Sequence, residues 1–406
     1  MTCLSSSKDK SDRVLLSVRR KFPEIPITDV TSLLKLRVIE DFREFEGLKN
    51  EWNIVLQKSL DNDVFSTWEW LWCWWKHFGR GRKLRILIAE ENSEIVGIAP
   101  FMLSRYRFLH FGKLNRIEFI GFPHADYNNI LLLRRNLNYL KLFLKGLRKY
   151  SDWDLLDLRD IRSESFSGQA FQVLAHSRAK NPKLRLTDEN FCPHIILPNS
   201  FNAFLSGLSQ NMRGQLRKKL RRLRKKFKVE FKTHRDFSSI DAAMKVFFKL
   251  HQERWKSKGK SGAFANEEFR NFHLDVAQVF NERGWLDLHF LIADNEPIAA
   301  DYTFDYNLKK YSYLTGFNPE FGEFSVVNLL RMHIIEECIR RGLREFDLTR
   351  GFEPYKAEWS NSVRRNITVR YVQRGLFARM YCWALENVFS RRLSSKLGAH
   401  LTIGRS

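Results

Sequence analysis

The densest chemistry in this sequence is electrostatic. Residues 213–228, RGQLRKKLRRLRKKFK, carry ten cations and no acid. Leu216, Leu220, Leu223 and Phe227 recur at spacings of four, three and four, which predicts an amphipathic helix with one apolar stripe and a basic remainder. That helix aligns six like-charge i,i+4 pairs, among them Arg213/Arg217 and Arg222/Lys226. At roughly 0.2 to 0.5 kcal/mol each, they cost the isolated helix about 1 to 3 kcal/mol. Packing of the stripe offsets this repulsion, and so does an anionic acceptor, a membrane surface or RNA on the basic face. A solvated face is the ordinary meaning of such a run.

Other candidates are single side chains. The phrase GFEPYKAEW, 351–359, follows the strand-like REFDLTRG and puts Tyr355 and Lys356 past the strand's C-terminal end, where open α/β sheets bind ligands. Lys356 is suited there to neutralise a phosphate and Tyr355 to donate a proton; the plain alternative for the tyrosine is a packed ring with a wet hydroxyl. His251, with Arg254 and Trp255 one turn on, closes an amphipathic helix, and Asp301 sits in the strand IAADYTFDY. These two are the candidate general bases. His251 is read as part of a cleft wall, with a satisfied structural histidine as its alternative, and the alternative for Asp301 is a carboxylate on the solvent face of a half-buried strand. In the loop FPHADYNN, Asp126 and Tyr127 stand where polar residues meet ligands or close an Asx turn. Trp68, Trp70, Trp72, Trp74 and Trp75 are spaced so that their rings point all round a helix, which makes most of them core.

Several familiar chemistries fail on spacing. GKS at 259–261 ends like a phosphate-binding loop, but Arg254 stands where that motif needs glycine. There is no G-x-S-x-G, G-x-G-x-x-G or H-E-x-x-H and no cysteine–histidine set with metal spacing. Five scattered cysteines without a C-x-x-C pair fit reduced thiols in a cytosol. The apolar stretch at 65–79 is shorter than the roughly 20 residues a membrane span needs, and the opening residues read as no secretion signal. With 69 Lys+Arg against 46 Asp+Glu, a formal charge of +23 favours anionic partners.

The elements that must position these residues come in a repeated order. Helices are predicted from about Leu36 to Leu56 and from Ser66 or Thr67 to Phe78, then a hairpin of LRILIAE and EIVGIAPFML joined at Asn92-Ser93, strands IEFIG and NILLL, helix 137–149 and strand WDLLDL. The second half offers helices 241–256 and 267–282, strand 311–317, helix 326–341 and strand REFDLTRG. Between them LHFLIADNEPIAA, 288–300, repeats the letters of LRILIAEENSEIVGI, 84–98. Two copies of one unit imply duplicated α/β domains, with the joint near CPHIILPNS, 192–200. The expected division is an extension over 1–35, domains over 36–195 and 196–375, and an amphipathic helix over 376–406 that packs on the second domain or docks at a membrane.

The order of elements, HQERWKSKGKSGAF (251–264), the strand pair IAADYTFDYNLKKYSYLTGFNPEF and LREFDLTRGFEPYKAEWSNS resemble the CelD-like acyltransferases of the GNAT superfamily, relatives of the FemAB-like transferases. EWNIVLQKS, VGIAPFML and GFPHADYNN in the first half agree. The resemblance, over roughly 45–375, implies tandem GNAT-like domains with mixed sheets, the second holding the acyl donor. It implies acetyl-CoA or a longer acyl-CoA as co-substrate, no metal, and an amine of a sugar, amino acid or envelope precursor as acceptor. The setting is a cytoplasm or the inner face of a membrane, with a link to exopolysaccharide synthesis. The donor diphosphate then falls at FGEFSVVNLL, with Ser325 as N-cap and the N–H groups of Val326, Val327 and Asn328 as donors. Lys356 assists there, and Tyr355 protonates the departing thiolate. His251 or Asp301 deprotonates the amine, while Asp126, Tyr127 and Arg254 bind substrate. Valines replace the usual small residues of that turn, and branched side chains restrict close backbone approach. Two alternatives stay open: aminoacyl transfer from tRNA through residues 213–228, and a non-catalytic pair of domains at an anionic surface.

Overall fold

The computed structural model describes residues 34–108, 112–176 and 184–385. In chain order the elements are β1 (Leu34–Ile39), α1 (Phe42–Gly47), α2 (Lys49–Lys58), α3 (Trp68–Phe78), β2 (Lys83–Glu91), β3 (Glu94–Phe108), β4 (Gly112–Phe119), β5 (Leu131–Leu132), α4 (Leu137–Leu147), β6 (Leu155–Arg162), α5 (Phe166–His176) and β7 (Leu184–Ile196). Then follow α6 (Phe201–Gly207), α7 (Gln210–Lys226), β8 (Val229–Thr233), α8 (Ile240–Lys256), α9 (Glu267–Glu282), β9 (Leu286–Ala293), β10 (Glu296–Tyr306), β11 (Lys309–Phe317), α10 (Val326–Arg340), β12 (Glu345–Asp347), α11 (Pro354–Trp359) and β13 (Ser362–Val372). Residues 376–385 form α12. The rest of the expected C-terminal helix, and nearly all of the expected extension over 1–35, lie outside the described residues.

The chain divides into two units. The first falls within Pro23–Asn62, Gly81–Glu189 and Arg365–Ser406, and the described part of the second is Asp63–Arg80 with Asn190–Arg364. The Trp-rich α3 is thus grouped with the C-terminal half of the chain, and most of β13 with the N-terminal half. The stretch 192–200, read as a joint, is mostly strand β7.

Each unit repeats one strand order. In the first, β1, β2, β3 and β4 lie side by side, β6 follows β4, and β13 follows β6. In the second, β8, β9, β10 and β11 lie side by side, β12 follows β11, and β7 follows β12. The letter repeat is the same hairpin twice: β2–β3 turns through Asn92 and Ser93, and β9–β10 through Asp294 and Asn295, all four with positive φ. Asn and Asp tolerate that left-handed backbone, and the turn matches the twist of the paired strands. Leu34–Ile39 departs from the helical reading. Its alternating side chains pair it antiparallel with β2, from Leu34 opposite Glu91 to Ile39 opposite Ile86.

The parallel pairs are short. β4 meets β6 through Arg116/Leu155 and Ile117/Leu156, and β11 meets β12 through Lys309/Glu345, Lys310/Phe346 and Tyr311/Asp347. Beyond Tyr311 strand β11 runs on to Phe317 without β12 beside it. At the paired end Lys310 is buried, its ammonium held by Asp287 and by Asp305, the latter at 2.6 Å. Burial pushes the Asp287 carboxyl up, but His289 at 2.9 Å and Lys310 hold it well below the usual carboxylate range.

The core of the first unit's sheet is mostly aliphatic, and that under α3 is aromatic. Trp70 is fully buried and packs its ring 5.1 Å from Phe272 of α9 and 5.5 Å from Tyr313 of β11. Lys76 and His77 of α3 both reach Asp275 of α9 at 2.7 Å. The four described cysteines are free and buried. Among the described residues no helix is long and apolar enough to cross a membrane.

Gly316 sets how closely α8 lies on β11. A Cβ there would stand 2.4 Å from the backbone N of His251, so only hydrogen allows helix and strand to touch. Gly316→Ala is expected to overpack this contact and to cost about 1 to 3 kcal/mol, read as a lower urea midpoint at unchanged slope.

Candidate active site

Where β11 runs on without β12, a cavity of about 250 Å³ opens. It is lined by Arg254 of α8, Thr315 and Phe317 of β11, Gly322 and Ser325 of the turn that follows, Val326, Val327, Asn328 and Arg331 of α10, and Tyr355 of α11. Ten residues from five segments converge because the helix that follows β11 starts beside the open edge of the sheet.

The start of α10 is unlike the expected cap. Ser325 has φ 52° and ψ 47° and makes no side-chain cap hydrogen bond. Left-handed backbone costs a residue with a side chain roughly 1 to 2 kcal/mol. Its hydroxyl accepts instead from Lys219 of α7, while the Asn328 N–H donates to the Ser325 carbonyl at 2.8 Å. Asn328 is therefore no free donor. The N–H groups of Val326 and Val327 have no acceptor among the described residues, as expected for the first turn of a helix. The branched side chains leave that turn open: Val326 is 1% exposed and packs in the core with Leu329 and Leu330.

Two arginines line the cavity with no carboxylate partner among the described residues. Arg254 Nη1 donates to the Thr315 carbonyl at 3.1 Å and to the Thr315 hydroxyl. Arg331 is 1% exposed; Nη1 donates to Asn328 Oδ1 at 3.2 Å, and Nε has no partner. Its guanidinium lies 5.2 Å from the centre of the Tyr355 ring and 5.6 Å from that of Trp359. No acid lines the cavity, so the charged side chains in its wall are both cationic.

Other expected site residues are placed elsewhere. Lys356 is buried, with its ammonium on the Arg350 carbonyl at 2.8 Å and on Glu353 at 3.2 Å; it does not line the cavity. His251 is 2% exposed, and its Nε2 accepts from Trp255 Nε1 at 3.0 Å. That bond occupies the lone pair a base would need. Asp301 is fully buried rather than solvent-facing and accepts from Ser312 Oγ at 2.8 and 3.1 Å. Burial raises its pKa against the pull of Arg331 and Ser312. Asp126 and Tyr127 are buried in the first unit; the Asp126 carbonyl accepts from Asn366 Nδ2 at 2.9 Å, and Arg162 lies 5.6 Å from the Tyr127 ring centre.

Lining residues Thr315, Phe317, Gly322 and Arg331 were not singled out by the sequence reading, nor was Lys219 as a contact of Ser325. For Arg331 a signal exists: an arginine inside the apolar run VVNLLRMHII, three and four residues after Asn328 and Val327 and so on their helical face.

Residues 210–357 match the family Acetyltransferase (GNAT) domain. The matched stretch contains every residue lining the cavity. No match was found among curated proteins. Among solved structures, FemX aligns at 10% identity and TM-score 0.57, covering 82% of this chain and 96% of FemX. A conserved protein of unknown function from Bacteroides thetaiotaomicron aligns at 10% identity and TM-score 0.51, covering 83% of this chain and 100% of its own. The C-terminal domain of a putative lysylphosphatidylglycerol synthetase from Agrobacterium fabrum aligns at 11% identity and TM-score 0.51, covering 84% and 95%. The mixed α/β architecture is thus of GNAT type.

One turn before Arg254 on α8, burial lowers the His251 pKa from 6.5 to about 4, with Gln252 raising it and Arg254 lowering it. Between those values the unfolded chain takes up a proton that the native chain refuses, so stability falls as pH drops from 6.5 towards 4. The loss from this group is expected to be roughly 2 to 3 kcal/mol. His251→Gln should flatten that part of the pH profile of the urea midpoint.

Proposed function

We propose that the chain is an N-acyltransferase. In this reading the acyl group of acetyl-CoA or a longer acyl-CoA passes to an amine of a sugar, an amino acid or a related envelope or exopolysaccharide precursor, as in CelD-like enzymes. One observation carries the reading. Two unclaimed N–H groups at a helix start and two arginines without acid partners share one cavity at the parted strands. Helix N-termini bind phosphate through such groups.

In this scheme Val326 and Val327 present their N–H groups to the donor diphosphate, Arg254 adds charge, and the thioester supplies the activated carbonyl. The amine attacks that carbonyl directly, and the tetrahedral oxyanion is stabilised by donors fixed in advance. Tyr355, at the cavity wall, donates its hydroxyl proton to the leaving thiolate and, as phenolate, takes up the proton that the attacking nitrogen gives up, so the step closes on amide and thiol with Tyr355 restored. His251 and Asp301 are not retained as bases, for the reasons of bonding and burial given above, and Lys356 is read as a support of the loop before α11.

A second reading, aminoacyl transfer from a charged tRNA, has its own observation. On α7 the apolar stripe is used, with Leu216 and Leu223 buried, while Arg217, Lys218, Arg221, Arg224 and Lys225 are exposed and without partners among the described residues. Lys219 of the same helix touches Ser325 at the cavity.

Thermal melting separates these readings. A CoA ester at a hundred times its dissociation constant should add about 2.7 kcal/mol, and Arg254→Ala should weaken binding roughly tenfold or more. A melt indifferent to every CoA ester, with tRNA bound in a steeply salt-dependent way, transfers the case to the second reading. Binding to anionic vesicles alone, with neither donor bound, leaves the non-catalytic pair.

A further inference from the structure

Arg331 stands apart from the other buried arginines of this chain. In the first unit Arg85, Arg116 and Arg370 are buried and each ends on a carboxylate: Asp152 at 3.0 Å, Glu118 at 3.0 Å and Asp157 at 2.9 Å. Arg331 is as deeply buried, yet no carboxylate of the described residues reaches it. Of its five donors one is used, by Asn328 Oδ1, and Nε meets nothing. Asp301 feels its charge but has both oxygens on the Ser312 hydroxyl. A guanidinium taken out of water with four of its five donors unpaired is unfavourable, so its face on the cavity is suited to an anion that would pair them.

Depth separates this position from the donor phosphates. Arg331 is five residues past Val326 in α10, about 7.5 Å along the helix axis at 1.5 Å per residue, whereas Ser325 and Val327 are partly exposed. The rings of Tyr355 and Trp359 lie beside the guanidinium and help to fix its plane, and a planar fork matches a carboxylate through two parallel hydrogen bonds.

We infer that Arg331 seats a carboxylate of the substrate at the inner end of the cavity. The inference rests on the reading of this cavity as an acyl-donor site. The carboxylate belongs either to the acyl chain of a dicarboxylic thioester or to an amino-acid acceptor, and both present the same chemistry to the guanidinium.

Calorimetric titration of the full chain tests this with two pairs of probes and free CoA as control. Succinyl-CoA is compared with butyryl-CoA, which has a methyl group where the former has its carboxylate, and alanine with alaninamide in the presence of CoA. In one pair the carboxylate form should bind about tenfold or more tighter to the wild-type chain. Arg331→Met should erase that preference while free CoA binds as before, and Arg331→Lys should keep part of it. Equal binding within both pairs overturns the inference, as does an Arg331→Met chain that loses free CoA in step, since the arginine would then serve the phosphates. If free CoA fails to bind the wild-type chain, the donor reading falls by itself; the alanine pair, titrated without CoA, still decides the carboxylate.

Discussion

The site depends on the place where β11 and β12 cease to pair. Three residue pairs hold them together, ending at Tyr311 and Asp347. The chain then leaves the sheet through Leu348 and Thr349, the latter with φ 58°. Asp347 accepts the Thr349 N–H at 2.8 Å, and the Thr349 hydroxyl donates to the Ser312 carbonyl at 3.2 Å. These bonds take up the Thr349 N–H and the Ser312 carbonyl at the fork, two backbone groups that parting strands would otherwise leave unpaired. Past it the open edge of β11 is met by a side chain, Arg254, and not by a strand.

Buried charge divides the molecule into parts that are finished and a part that is not. The Asp287, Lys310 and Asp305 group at the paired end of β11 is compensated, as is the Arg116, Asp157 and Arg370 group of the first unit. Such networks cost little once every member has its partner and a great deal when one is missing. The cavity beside α10 breaks that pattern with two arginines, free N–H groups and no acid. A strained serine stands at the helix start as well, and strain of this kind gathers at functional sites because surrounding packing can hold it.

Much of the fold was legible. The repeat of LRILIAE and LHFLIAD marked two hairpins because alternation and a two-residue Asn or Asp turn are local signals. α8, α9 and α10 fall within a residue or so of their expected bounds for the same reason, periodic burial on one face. Leu34–Ile39 was misread because six residues running into helix α1 carry too little pattern to separate a strand from the helix that follows. The strand exchange was not legible at all. β7 pairs with β12, and β13 with β6, and nothing in either strand's own residues names a partner so distant in sequence.

For the site the division is similar. The start of α10 and the cavity-facing Arg254 and Tyr355 follow from motif and order. Which titratable groups are usable does not, because that turns on a neighbour's lone pair or ammonium: Trp255 on His251, Ser312 on Asp301, Glu353 on Lys356. Local sequence by itself determined the elements, their duplication and the basic face of α7, since periodicity and charge are properties of neighbours along the chain. Only the tertiary structure decided that Arg331 is buried with no acid bonded to it, because burial and pairing are properties of what other segments bring to the same place.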